Sequence, residues 1–301
     1  MTVLRSAILA AADSPRIRRF VGRYGMRLGA ARFVAGETLG EAVVTLRRLN
    51  EQGLRTNTTV LGEGVENREA TGRVVEAYEE VLRLIAAEGL QTNVALKLTH
   101  LGVLIDEELA YGNLERLVAE AVGLGNFIRI DMEDSPLVDV TLRIYRRLRS
   151  AGHDNVGAVL QAYLYRSEDD LESLLPLRPN VRIVKGAYRE SPEIAYPRKA
   201  DVDAAYARLV ERAIAEAEFT AVATHDERLI DHAIGLGAGP DRFELQMLYG
   251  VRPQLQLDLV RRGQRVLVAT PYGPDWYRYL MRRLAERPAN LMFFLKSAIR
   301  K

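Results

Sequence analysis

Eight short apolar runs recur along this chain, separated by helix-length stretches, at 58–62, 93–100, 127–133, 157–165, 181–188, 220–225, 243–249 and 265–272. Strands buried on both faces are written as continuous Val/Ile/Leu runs, and their alternation with helices implies parallel pairing through crossovers. Eight such units close a (β/α)8 barrel of the α/β class, whose active site lies at the C-terminal strand ends. Lys97, Asp131, Gln161, Arg182, Lys185, Thr224, His225, Glu244 and Gln246 stand in or just after these runs. Polar chemistry is thereby expected on one rim of the barrel.

A chain of 301 residues that is 48% hydrophobic can bury one sizeable core, and α/β barrels of this size form one domain. No window holds the roughly 18 uncharged apolar residues of a membrane span. The absence of cysteine removes disulfides, thiolate catalysis and thiolate metal ligands, and fits a reducing cytoplasm. His100, His153, His225 and His232 show no metal-ligand spacing, so no metal is expected.

Charge is uneven. Before Glu37 there are seven arginines (Arg5, Arg16, Arg18, Arg19, Arg23, Arg27, Arg32) against one acid, Asp13. Three readings compete for this arm: a solvated basic helix face, attraction to an anionic membrane surface, and an organelle transit peptide. The shortage of serine disfavours the last. No nucleic-acid motif or aromatic platform accompanies the arginines, so nucleic acid is not an expected partner. Of 42 lysines and arginines only five are lysines, yet Lys97 and Lys185 sit inside the apolar segments VALKLTH and RIVKGAY. An ammonium there must either pair with a neighbouring carboxylate or reach a ligand.

Residues 1–50 are expected to form a helical extension, with ETLGEAVVTLRRLNEQG as a helix ending at Gly53. The barrel then occupies 51–301, with helices over 67–88, 113–124, 137–151, 168–174, 201–217, 227–236, 253–262 and 275–286. The last helix presents two stripes. Tyr277, Leu280, Met281 and Leu284 form a core stripe; Tyr279, Arg282, Arg283 and Glu286 form either a solvated face or a carboxylate clamp. GLGAG at 235–239 follows a helix and precedes a strand, the reverse of a dinucleotide fingerprint, and is expected to end the helix.

The strand-end motifs RFVAGET (32–38), ALKL (95–98), IRIDMED (128–134), QAY (161–163), RIVKGAY (182–188), ATHD (223–226), ELQMLYG (244–250) and YLMRRLAERPAN (279–290) occur in this order. Together they resemble the monofunctional bacterial proline dehydrogenases over about residues 32–295. The resemblance implies a FAD-dependent oxidoreductase on a distorted (β/α)8 TIM barrel whose last helix lies over the barrel mouth. It implies oxidation of L-proline to Δ1-pyrroline-5-carboxylate with electrons passing to a membrane quinone; the missing cysteines and the basic arm add the expectation of a cytoplasmic protein open to peripheral contact at the inner face of the membrane.

It also implies site roles. Lys97, Arg282 and Arg283 would hold the substrate carboxylate, and Tyr188 and Tyr279 would wall its ring. Asp131 would brace Lys97 or the amine side, and Arg182 would stand beside the flavin N5. Met132, Gln161, Lys185, Gly186, Ala187, Thr224 and His225 would contact FAD, although His225 also reads as a core histidine. Glu63 is expected to pair with Arg282 as a gate. One departure stands out: ATPYG (269–273) replaces the family's YVPYG-like ending, so Ala269 occupies the place of a tyrosine. Rival readings are a flavin barrel of the methylenetetrahydrofolate reductase type and a barrel that binds proline or flavin without turnover.

Overall fold

The computed structural model describes residues 29–62 and 64–286, together with Ser14, Arg19, Val21, Gly25 and Met26; for 282–286 it describes the backbone alone. Most of the basic arm, Glu63, and the side chains of Arg282 and Arg283 therefore lie outside the described residues.

Eight parallel strands close a barrel in chain order. They are β1 (Arg55–Val60), β2 (Thr92–Leu96), β3 (Ile128–Ile130), β4 (Val156–Gln161), β5 (Asn180–Val184), β6 (Phe219–Ala223), β7 (Phe243–Leu248) and β8 (Val266–Tyr272). Closure comes from β8 returning to β1, in register from Arg55↔Leu267 to Val60↔Tyr272. Between and around them run α1 (Leu39–Glu51), α2 (Arg68–Ala87), α3 (Glu107–Gly123), α4 (Val138–Ser150), α5 (Ser167–Leu174), α6 (Lys199–Glu216), α7 (Glu227–Gly235), α8 (Pro253–Arg261) and α9 (Trp276–Glu286).

Each expected run overlaps a strand, but β2, β3, β4 and β5 stop well before their apolar runs do. The chain leaves the ladder where the site residues begin. Helix α3 starts earlier than its apolar spacing suggests, because Asp106 caps it by accepting the Leu109 N–H at 2.8 Å and acids fill its first turn. At the GLGAG segment the chain turns out of α7 at Gly237, with φ 74, in keeping with a helix-ending glycine.

The strands carry a strict division of faces. Register pairs place Arg129 beside Gly157, Val159 beside Arg182, Arg182 beside Ala221 and Ala221 beside Glu244. One residue parity therefore faces the barrel interior throughout. The opposite parity, including Ile128, Ile130, Val181, Ile183, Leu245 and Met247, is buried beneath the helices in one apolar core. The outward side supplies the hydrophobic stabilisation, which leaves the inward side free to be polar.

Helix α1 occupies the outer wall against β1 and β8. Its start is set by Thr38, which accepts the Glu41 N–H at 3.3 Å, while the Glu41 carboxylate accepts the Glu37 N–H at 2.7 Å. Ala42 and Leu49 join the main core. That place is the one a helix following β8 would take in a regular barrel. Helix α9 packs elsewhere, in a separate cluster where Trp276, Leu280 and Met281 meet Phe33, Val34 and Val251, with Leu61 and Leu248 at its edge. Leu61 follows β1 and Leu248 ends β7, so α9 lies on the C-terminal rim. The Trp276 indole N–H donates to Glu37 Oε1 at 2.6 Å and ties the helix to the segment before α1. Among the described residues no helix is long and apolar enough to cross a membrane.

Candidate active site

The inward side chains form layers of increasing height. Near the floor, Glu244 accepts from Arg265 Nε at 2.9 Å and from Gln246 Nε2 at 2.8 Å. Glu244 was expected on the rim, but it is the second residue of β7 and sits low in the barrel, because the strand begins immediately before it. In the middle layer, Asn57 donates to Asn93 at 2.6 Å. Arg129 reaches across β4 to Ala158 O and Asn180 O at 3.0 and 2.9 Å. Gly157 makes that reach possible, since a Cβ there would come within 2.3 Å of Arg129 Nη1.

The top layer holds the ions expected to do chemistry. Asp131 ion-pairs with Arg182, joining β3 to β5 across β4. The partner the structure shows for Asp131 is thus Arg182. Lys97 leaves β2 on the same face, half-buried. Two buried polar atoms here have no hydrogen-bond partner: Arg182 Nε, a donor, and Gln246 Oε1, an acceptor. Ala269 lies on the inward side of β8, in register with Asn57 and Leu248, and contributes only a half-exposed methyl group to this rim.

Carboxylate clasps hold the surrounding loops. Met132 is buried, and the next residue, Glu133, accepts from Thr99 N at 3.0 Å and Thr99 Oγ1 at 2.7 Å. Its backbone carbonyl accepts from Gln161 Nε2 at 2.8 Å. Glu190 accepts from both the N–H and the hydroxyl of Ser135, at 2.8 and 2.7 Å. The loops after β2, β3 and β5 and the end of β4 are thereby linked.

After β5 the chain passes Lys185 and turns at Gly186, whose φ is 112; a Cβ there would lie 2.2 Å from the Tyr163 ring. Only glycine permits that approach. Ala187 is exposed and Tyr188 half-buried beyond it. The Lys185 ammonium is 2.5 Å from Asp203 and 3.3 Å from Asp226, and Lys199 pairs with the same two carboxylates. Of the two alternatives open for this lysine, the structure shows pairing, with carboxylates supplied by helix α6 and the cap of α7. Burial alone would raise Asp203 and Asp226; the two ammonium groups more than offset it and hold both below the usual carboxylate range.

Thr224 is buried and accepts the Asp226 N–H at 3.2 Å. His225 Nε2 accepts the Leu248 N–H at 2.9 Å, so the proton of its neutral ring sits on Nδ1. Arg252, at a left-handed φ of 55, donates to the His225 carbonyl at 2.8 Å. On α9, Tyr279 is half-buried against the apolar cluster, and the backbone of Arg282 and Arg283 follows it at the i+3 and i+4 spacing of one helix face.

Several of these groups escaped the sequence reading: Arg129, Glu133, Asp203, Glu190 and Arg252. Arg129 had a usable signal. Read at period two, IRID (128–131) separates an inward arginine and aspartate from outward isoleucines. The clasps had none, because their partners come from distant loops.

The chain matches the family described as proline dehydrogenase over residues 42–296. It is 43% identical over 307 residues to the proline dehydrogenase of Deinococcus radiodurans, covering 98% of each chain. It is 40% identical over 303 residues to proline dehydrogenase 1 of Bacillus subtilis (strain 168), covering 99% of this chain and 100% of the relative. In structure it resembles proline utilization A (PutA) from Bdellovibrio bacteriovorus inactivated by N-propargylglycine, with a TM-score of 0.80, 23% identity, and coverage of 87% of this chain and 33% of that one. It thus spans about a third of that larger protein. With a family match over most of its length and relatives at this identity end to end, the chain belongs to the proline dehydrogenase family.

Proposed function

We propose that this chain is a FAD-dependent proline dehydrogenase that forms Δ1-pyrroline-5-carboxylate, passes electrons to a quinone, and opens proline catabolism. In this reading residues 51–301 are the catalytic barrel and 1–50 a helical extension. The protein is cytoplasmic, with its basic arm available for peripheral contact with the inner face of the membrane.

The observation that carries the cofactor reading is the pair of buried, unmatched atoms at the top of the barrel. Arg182 Nε needs an acceptor and Gln246 Oε1 needs a donor, and buried polar atoms are rarely left unmatched. An isoalloxazine ring presents both kinds of group at its edge, so the residues fit a flavin. When bound, FAD supplies the hydride acceptor, its N5. Arg182 would lie beside that atom, with Asp131 fixing the guanidinium's orientation. Met132, Gln161, Gly186 and Ala187 would line the cofactor through backbone and amide groups, with Thr224 and His225 at its adenosine side. Lys185 would approach its phosphates from within the Asp203–Asp226 pair.

The substrate reading rests on charge and placement. Lys97 would join Arg282 and Arg283 around the proline carboxylate, where guanidinium forks bind bidentately. A rim rich in cations disfavours protonation of the substrate amine, which presents the free base able to release hydride. Tyr188 and Tyr279 would hold the ring for stacked, close positioning. Glu63 would gate the site through Arg282.

The test is product formation. Purified protein should convert L-proline to Δ1-pyrroline-5-carboxylate with a soluble quinone analogue as acceptor, and NADH should not replace proline. Arg283→Met should raise the proline KM about tenfold to a hundredfold, from loss of charge-assisted contacts, with flavin still bound. Unaltered binding of carboxylate analogues in that variant would exclude the clamp.

A further inference from the structure

Arg129 is a buried ion that the reaction so far leaves without a task. It lies on the inward face of β3, one layer beneath Asp131, and is 3% exposed. Its guanidinium donates only to uncharged acceptors: Ala158 O, Asn180 O and Asn180 Oδ1. Nearby barrel ions are matched, Asp131 with Arg182 and Glu244 with Arg265. Among the described residues, no carboxylate lies within ion-pair distance of Arg129. Burial pushes the guanidinium down to about 9, with Arg182 adding repulsion, so it is still charged at neutral pH.

Keeping such a charge is costly, and the fold is arranged to keep it. Gly157 leaves the space its Nη1 needs, and the Phe127 ring lies 4.9 Å from its centre. A neutral side chain would fill the same volume without the desolvation cost.

We infer that Arg129 holds the middle layer of the barrel one positive charge in excess and so favours reduction of the flavin bound above it. This rests on the flavin reading. In that reaction the ring C–H bond beside the amine breaks, and the nitrogen lone pair forms the C=N bond. The hydride, two electrons with one proton, passes to the flavin, so the product nitrogen becomes cationic while the flavin gains one negative charge. A fixed cation in a water-poor interior stabilises that change more than bulk solvent would. Arg129 touches neither substrate nor cofactor; it acts through its field and through the Asp131–Arg182 pair above it.

The test is the midpoint potential of the purified holoenzyme, read spectroelectrochemically, for the wild type and for Arg129→Met, Arg129→Gln and Arg129→Lys. The two neutral variants should weaken the reduction equilibrium at least tenfold, a fall of about 30 mV for a two-electron couple. Arg129→Lys should stay near the wild-type value. If the Met variant does not fold, the Gln variant, which keeps amide donors for Asn180, decides. Equal potentials in the wild type and the neutral variants would overturn the inference and leave the flavin reading standing. So would a Lys variant that falls as far as Met, because geometry rather than charge would then be responsible. A wild-type protein that carries no flavin would overturn both.

Discussion

At the scale of single residues, the site is governed by how each ion is held. Asp131 and Arg182 come from strands that are not neighbours, and the pair is only partly solvent-exposed. Replacing Asp131 with Asn keeps the shape but removes the countercharge. Arg182 should then lose its fixed orientation, and turnover should fall on the order of a hundredfold, as when one preorganised electrostatic group is deleted. Stability should drop by about 1–3 kcal/mol. Steady-state kinetics beside a thermal melt checks both. Near-normal turnover would show that the pair only braces the barrel. His225 is held by structure as well as by any ligand: its Nε2 accepts the Leu248 N–H and fixes the end of β7.

At the scale of elements, two devices shape the mouth. The first is the exchange of helix positions, with α1 on the outer wall and α9 on the rim. Trp276 anchors this arrangement, being 2% exposed and hydrogen-bonded to Glu37. Trp276→Ala should cost about 3–5 kcal/mol, as large-to-small core changes do, and should raise the proline KM before it abolishes flavin binding. A melt coupled to KM measurement tests this, and an unchanged KM in a folded variant would separate α9 from the substrate. The second device is the lysine–aspartate quartet joining β5, α6 and α7. Its aspartates titrate below their unfolded range of about 4, so their contribution is present above that pH and is lost as pH falls through the lower folded values. Thermal stability should therefore hold from neutral pH to about 5 and decline below about 4. The decline should be smaller in Asp203→Asn, a comparison readable by melts across pH.

At the scale of the molecule, the barrel was legible because its outward parity is mostly Val, Ile and Leu with interspersed threonines, and eight such runs admit few other closures. The rim motifs were legible too, since IRIDMED and RIVKGAY place ions at strand ends. The inward polar layers were not. Arg129 and Glu244 lie within runs that read as apolar overall, and only alternation reveals their face. The clasps Glu133–Thr99 and Glu190–Ser135 depend on which loops the closed barrel brings together. The carboxylates around Lys185 come from helix starts that spacing alone cannot orient.

The central proposal is that the barrel mouth is a flavin site reduced by proline. Anaerobic titration of the purified protein, followed in the visible flavin bands, tests it most directly. A yellow protein that bleaches stepwise with L-proline and is indifferent to NADH is the predicted result. A colourless protein, or one bleached by NADH and unmoved by proline, would contradict the claim.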